Sequence, residues 1–213
     1  MEFVADAFFD YAAEHSSPEP ELLRKLRRET YQKVLQPRML SGALQGRLLS
    51  LLSRLVTPDR ILELGTFTGY ATLCLAEGLS ESGEIHTLDK NEELQHLQNK
   101  YFEASGHQEQ IHQHLGEALD ILPKLEGLFD FVFIDADKKN TQAYFDACVP
   151  KVRPGGLILT DNVLWSGKVL KDTEAGDQET AVLKRFNTAI AQDPRVETVL
   201  LPLRDGLTLS RVR

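Results

Sequence analysis

Residues 60–76 read RILELGTFTGYATLCLA, and this stretch decides the fold. Arg60 to Leu64 is a short apolar run ended by glycine, the length of a buried strand rather than a helix. Gly65 and Gly69 then permit a sharp turn and a close backbone approach to a ligand. A helical pattern starts near Gly69, so the first free N–H groups of that helix point at whatever lies over the turn. The turn is not the dinucleotide fingerprint, because Phe67 holds the second glycine position, and no Gly-Lys-Ser/Thr follows as in a P-loop. A glycine turn lacking both phosphate signatures suits a nucleoside without a pyrophosphate. Taken alone it is also compatible with a plain strand-to-helix turn.

Working outward, short apolar runs recur at Glu84–Leu88, Gln110–Leu115, Phe129–Asp135 and Gly156–Thr160, each followed by helical periodicity. Such alternation predicts right-handed βαβ crossovers and helices on both faces of a mostly parallel sheet. Two final runs, Val196–Pro202 and Gly206–Val212, flank the turn-forming Arg204-Asp205-Gly206 and predict an antiparallel hairpin. Ahead of the sheet, residues 19–34 carry apolar positions at Leu22, Leu23, Leu26 and Val34. After the Pro37 break, Leu44, Leu48, Leu51, Leu52 and Leu55 keep a helical period. The expectation is one α/β domain: a helical cap over residues 1–58 and a doubly wound, seven-stranded core over 59–213.

The bulk properties agree. A chain of 213 residues, 42% hydrophobic and 26% charged, is ordinary for a single globular domain. A net charge of −8 disfavours nucleic acid as the main partner, since backbone phosphates demand a basic face. Cys74 and Cys148 have neither disulfide-scaffold number nor zinc spacing, which predicts a reduced, cytoplasmic setting. The first residues carry acids before any apolar run, and no stretch is long enough to span a bilayer, so neither a leader nor a membrane partner is expected.

In open α/β sheets ligands bind beyond the carboxyl ends of the strands. That rule selects Glu63 to Tyr70, Asp89, Gly116 to Ala118, Asp135 to Lys138, and Asp161-Asn162. Asp89 follows Gly65 by 24 residues, where an acid reaches ribose hydroxyls, although it also sits where it would cap a helix near Glu92. Asp135, Asp161 and Asn162 end two strands expected to be neighbours. Together they form a hard, all-oxygen set suited to Mg²⁺, Ca²⁺ or Mn²⁺. Capping by Asp137 and an Asx turn at Asp161-Asn162 are the purely structural alternative. Among the remaining residues, His112 and His114 read as an exposed pair with no acid adjacent, His86 as core, and Cys74 as packed rather than reactive. Arg24, Lys25, Arg27 and Arg28 read as a solvated face, with contact to an anionic acceptor as the less favoured reading.

The strings LELGTFTGYATLCLA, LDKN, LGEAL, FDFVFIDADKKN and PGGLILTDNVLWSGKV resemble the metal-dependent O-methyltransferases of the caffeoyl-CoA and catechol type, which are class I S-adenosylmethionine enzymes. The similarity runs from about Met39 to Asp205-Gly206-Leu207-Thr208, and its most specific parts are DADKKN and TDNVLWSGKV. It implies S-adenosylmethionine and a divalent cation as cofactors, a small hydroxylated aromatic as acceptor, and a homodimer. By position, Glu63, Gly65 and Thr66 would line the methionine part of the cofactor, with Tyr70, Ala71 and Asp135 nearby. Asp89 would hold the ribose, Glu117 and Ala118 would lie along the adenine, and Met39 and Ser41 would close over the top. The resemblance assigns Asp135, Asp161 and Asn162 to the cation, Lys138 to the general base, and Trp165 to the acceptor wall. Two positions depart from the family: Ala71 stands where serine is common, and Ser41 where a larger apolar residue is usual. The rival readings are a metal-independent methyltransferase, an NAD-type oxidoreductase and a nucleoside-binding regulatory module.

Overall fold

Leu62 and Leu64 face one side of the sheet while Ile61 and Glu63 face the other, and this period-two alternation organises the molecule. The computed structural model describes residues 6–213. Its strands are β1 (Arg60–Leu64), β2 (Glu84–Asp89), β3 (Ile111–Leu115), β4 (Phe129–Ile134), β5 (Val152–Asp161), β6 (Val196–Leu201) and β7 (Leu207–Val212). They form one seven-stranded sheet in the order β3-β2-β1-β4-β5-β7-β6. Pairing is parallel from β3 through β5, and β7 runs antiparallel to both β5 and β6. The doubly wound sheet and its closing hairpin are therefore as the sequence predicts. The order reverses between β1 and β4, which puts the ligand crevice at their carboxyl ends.

The helices are α1 (Asp6–Glu14), α2 (Glu21–Lys33), α3 (Gly42–Val56), α4 (Tyr70–Ala76), α5 (Gln95–Ser105), α6 (Ala118–Ile121), α7 (Thr141–Cys148) and α8 (Gln178–Ala191). On one face Leu62, Leu64, Val132, Ile134 and Ile158 pack with Tyr144 and Phe145 of α7 and Phe186 and Ile190 of α8. On the other face Ile61, Ile85, Phe131, Phe133 and Leu159 pack with Leu26 of α2, Leu49 of α3, Leu73 of α4 and Leu97 of α5. The amino-terminal helices thus cover the sheet directly, in one layer with α4 and α5. Cys74 lies inside that layer, and burial pushes its thiol above the ordinary range. Among the described residues no helix is long and apolar enough to cross a membrane.

Two expectations need correcting. The fifth strand begins at Val152, not Gly156, because Val152 pairs with Phe129 before a register shift leads to Leu157 opposite Phe131. Pro154, Gly155 and Gly156 disguise that pairing as a turn. The histidines differ too. His112 lies directly opposite His86, with ring centroids 5.1 Å apart, and His114 stacks on His86 at 5.2 Å. Glu84 reaches His86 at 2.9 Å and His112 at 3.3 Å, so the acid that the third strand lacks comes from its neighbour. His86 is half-buried in this polar cluster rather than in the apolar core.

The switch point depends on glycine. A Cβ on Gly65 would stand 2.1 Å from the Asp135 carbonyl oxygen, at a φ of +100° that side chains rarely adopt. Overpacking and left-handed strain together predict that Gly65→Ala costs about 2–4 kcal/mol. For a chain of this size that lowers the melting temperature by roughly 5–15 °C in differential scanning fluorimetry. An unchanged melting temperature would mean that the β4 end yields freely.

Candidate active site

Strand register assembles the site. Leu64 lies opposite Leu88 and Ile134, and Ile134 opposite Thr160, so Gly65, Asp89, Asp135 and Asp161 follow at one level along the rim. Backbone bonds carry the ladder past the strand ends, from Gly65 N to Leu88 O (2.9 Å) and from Asp135 N to Leu64 O (2.8 Å). Among the described residues seven non-glycine positions have left-handed φ, and five border this rim: Phe67, Asn162, Trp165, Ser166 and Arg204. Backbone strain of this kind concentrates at functional sites.

Asp89 braces the glycine turn. Its Oδ2 accepts from Phe67 N at 2.8 Å and its Oδ1 from Asn91 N at 2.9 Å. The cap of the turn at Glu92 is Asn91, which accepts from Glu93 N at 3.0 Å, so Asp89 does not fill that role. Beneath the turn, Glu63 is 0% exposed. Its Oε2 accepts from the Thr72 and Thr87 hydroxyls, while its Oε1 has no partner. Thr66 joins the same network through Thr87 at 2.6 Å. Burial pushes the Glu63 carboxyl up to about 8 from an ordinary 4.5.

The second half of the rim gathers Asp135, Lys138, Asp161 and Asn162. The Lys138 ammonium lies 3.0 Å from Asp135 Oδ1 and is itself buried. Asp161 is 2% exposed, accepts from Gln45 Nε2 at 2.5 Å and from Asn162 N at 2.7 Å, and is pushed up to about 6. Burial is the larger cause and the facing Asp135 charge the next, partly offset by Lys138. Asp137 accepts from Asn140 at 2.9 Å and from the Tyr144 hydroxyl instead of capping a backbone N–H. Trp165 is half-buried in a segment clamped by the hairpin turn: Leu164 N donates to Asp205 O at 2.8 Å, and Ser166 N to the Asp205 carboxylate.

The other predicted positions lie in the amino-terminal cap and at the first turns of α4 and α6. Tyr70 turns its side chain toward the cap, its hydroxyl donating to Glu19 at 2.6 Å, and Glu19 is also gripped by Arg27 at 2.8 Å. Ala71 is buried in the first turn of α4. Ser41 is buried whereas Met39 is 58% exposed. Glu117 is exposed with Lys90 at 3.4 Å, and Ala118 is buried at the start of α6. In the basic run, Arg24 and Lys25 pair with Glu21 on an exposed face. Sequence reasoning missed Gln45, Thr72, Thr87 and Arg204. The one signal available was a glutamine among the leucines of α3.

The pH dependence of stability follows from Glu63. Folded, it keeps its proton to about pH 8, but unfolded it loses it near 4.5, so the native state binds more protons between these values. Its stabilising contribution is complete below pH 4.5 and is lost as pH rises toward 8. Asp161 acts in the same direction but only up to about pH 6. The melting temperature of the ligand-free protein therefore falls between pH 6.5 and 8, and Glu63→Gln flattens that slope. An equal slope in the variant would assign it to other groups.

Comparison with known proteins identifies the family. The O-methyltransferase family profile matches residues 13–213. Caffeoyl-CoA O-methyltransferase from Eucalyptus gunnii is 36% identical over 219 aligned residues, covering 97% of this chain and 88% of that one. Among solved structures, the O-methyltransferase from Bacillus cereus in complex with SAH superposes with a TM-score of 0.88 at 32% identity over 97% of both chains. The SAH-bound methyltransferase PaMTH1 of Podospora anserina gives 0.90 at 28% identity, over 98% of this chain and 94% of that chain. The chain belongs to the O-methyltransferase family, and it is an enzyme that places a methyl group on oxygen.

Proposed function

We propose that this enzyme transfers the methyl group of S-adenosylmethionine to a hydroxyl of a small catechol-like or caffeoyl-type aromatic, with a divalent cation held by Asp135, Asp161 and Asn162. The observation that carries the reading is the continuous rim, on which a glycine turn over a buried acid adjoins a hard, all-oxygen set. Two solved relatives hold the demethylated product of that donor, SAH, and curated relatives act on caffeoyl-CoA by name.

The residues fit both groups. Glu63 Oε1 is a buried carboxyl oxygen without a partner, and an ammonium such as the donor's α-amino group would both complete it and favour the ionised form that burial disfavours. Gly65 lets the end of β1 close directly on the Asp135 backbone, which keeps the two halves of the rim adjacent. Asp89 keeps lone pairs free for ribose hydroxyls. For the cation, Asp135 and Asp161 offer carboxylate oxygens and Asn162, the next residue after Asp161, would add an amide oxygen; among the described residues no group of three His, Cys, Asp or Glu side chains is arranged to hold a metal. What favours the cation is the chemistry of the set: burial and then the neighbouring Asp135 charge push Asp161 up, against the lowering effect of Lys138, and a cation would favour its ionised form. When bound, a divalent ion supplies Lewis acidity that makes an acceptor hydroxyl easier to ionise.

The chain's own residues do the rest. Lys138 Nζ, held by Asp135, receives the hydroxyl proton, which requires the amine to arrive uncharged. Trp165, fixed in a left-handed conformation by the Asp205 clamp, gives the aromatic acceptor a wall. Holding oxygen, methyl and sulfur in line supplies on the order of 7–11 kcal/mol through pre-paid entropy.

Two measurements test this. Turnover on a panel of catechol and caffeoyl acceptors should vanish in EDTA and return with Mg²⁺, and unaltered turnover under chelation would dismiss the cation. Lys138→Ala should lower kcat by about 10²–10⁴-fold at neutral pH and flatten its rise with pH. Undiminished activity from pH 6 to 9 would remove Lys138 from the base role.

A further inference from the structure

We infer that Gln45 and Arg204 are positioning residues that set the carboxylate of Asp161 for its cation, an inference resting on the metal-assisted reading above. Gln45 lies on α3, 0% exposed, facing the carboxyl end of β5 across 116 residues of sequence. A primary amide is rarely buried unless both its ends are bonded. Here both are: Nε2 donates to Asp161 Oδ2 at 2.5 Å, and Oε1 accepts from Arg204 Nη1 at 3.3 Å.

Arg204 fixes the direction of the chain of bonds. A guanidinium only donates, so the amide oxygen of Gln45 must face it and the NH₂ must face Asp161. Arg204 is itself anchored, donating to Leu40 O at 3.0 Å and to Ser41 O, from a hairpin turn where its φ is +50°. Three elements distant in sequence thus converge on one carboxylate. Asp161 Oδ1 is turned by Asn162 N and Oδ2 by Gln45, which fixes the plane of the group and leaves lone pairs on both oxygens. Groups that orient a ligating carboxylate in this way tune metal affinity without touching the metal.

The test is Mn²⁺ binding to the full-length enzyme, followed by the EPR signal of free Mn²⁺, beside SAH binding by calorimetry. Gln45→Leu is expected to weaken Mn²⁺ binding about 10–100-fold while SAH still binds, and to raise the Mn²⁺ concentration needed for turnover with kcat recovered at saturation. Arg204→Met should weaken Mn²⁺ in the same direction, and Arg204→Lys, which keeps a donor, should restore much of it. Wild-type Mn²⁺ affinity in a folded Gln45→Leu overturns the positioning role and leaves the metal reading standing. Should Gln45→Leu fail to fold, the two Arg204 variants decide, and equal affinity in both overturns the proposal. A wild-type enzyme that takes up no Mn²⁺ overturns the metal reading itself.

Discussion

Two carboxylates held side by side at adjacent strand ends, one of them fully buried, are the constraint to which the rest of the rim answers. Parallel pairing of β4 with β5 leaves Asp135 and Asp161 no choice of level. Burial first, and then repulsion from the like charge of Asp135, push the Asp161 carboxyl up to about 6. Lys138 neutralises one side, Gln45 and the Asn162 N–H bond the other, and Arg204 stands behind Gln45. Ionising Asp161 in this setting works against the fold near neutral pH, and those contacts are what offset the cost.

The backbone records the same tension. Asn162, Trp165 and Ser166 adopt left-handed conformations within five residues of one another, each costing on the order of 1–3 kcal/mol. They persist because the loop after β6 over-determines them: Val163 N bonds Gly206 O and Leu164 N bonds Asp205 O. Asn187 of α8 adds a third tie, donating to Val163 O at 2.8 Å. The antiparallel hairpin is therefore more than an edge closure. It is the splint that holds the segment carrying Asn162 and Trp165.

The sequence made legible what depends on local pattern. Strand, glycine turn and helix were readable from residues 60–76 because each element has its own period and its own breaker residues. The acids were readable because they stand directly at strand ends. Pairings between distant parts of the chain left no such trace. Gln45 and Arg204 are 159 residues apart, and each is unremarkable in its own neighbourhood. Glu84 belongs to the histidines of β3 only once β2 lies beside it, and Tyr70 follows a glycine turn yet serves Glu19 in the cap. Hydrogen bonds formed across the sheet's covering layer obey no sequence period, so no inspection of neighbours recovers them.

Alternation explains why the amino-terminal helices belong to the site. Ile61 and Glu63, Phe131 and Phe133, and Leu157 and Leu159 point to the face covered by α2 to α5. Asp135 and Asp161 continue two of those series by one step of two. The acids thus meet the very layer that α3 helps to build, and Gln45 can reach Asp161 only from there. A one-residue slip in β4 or β5 would turn the carboxylates to the face of α7 and α8, where apolar side chains await them. The apolar core that fixes strand register is, by the same contacts, what fixes the chemistry at the rim.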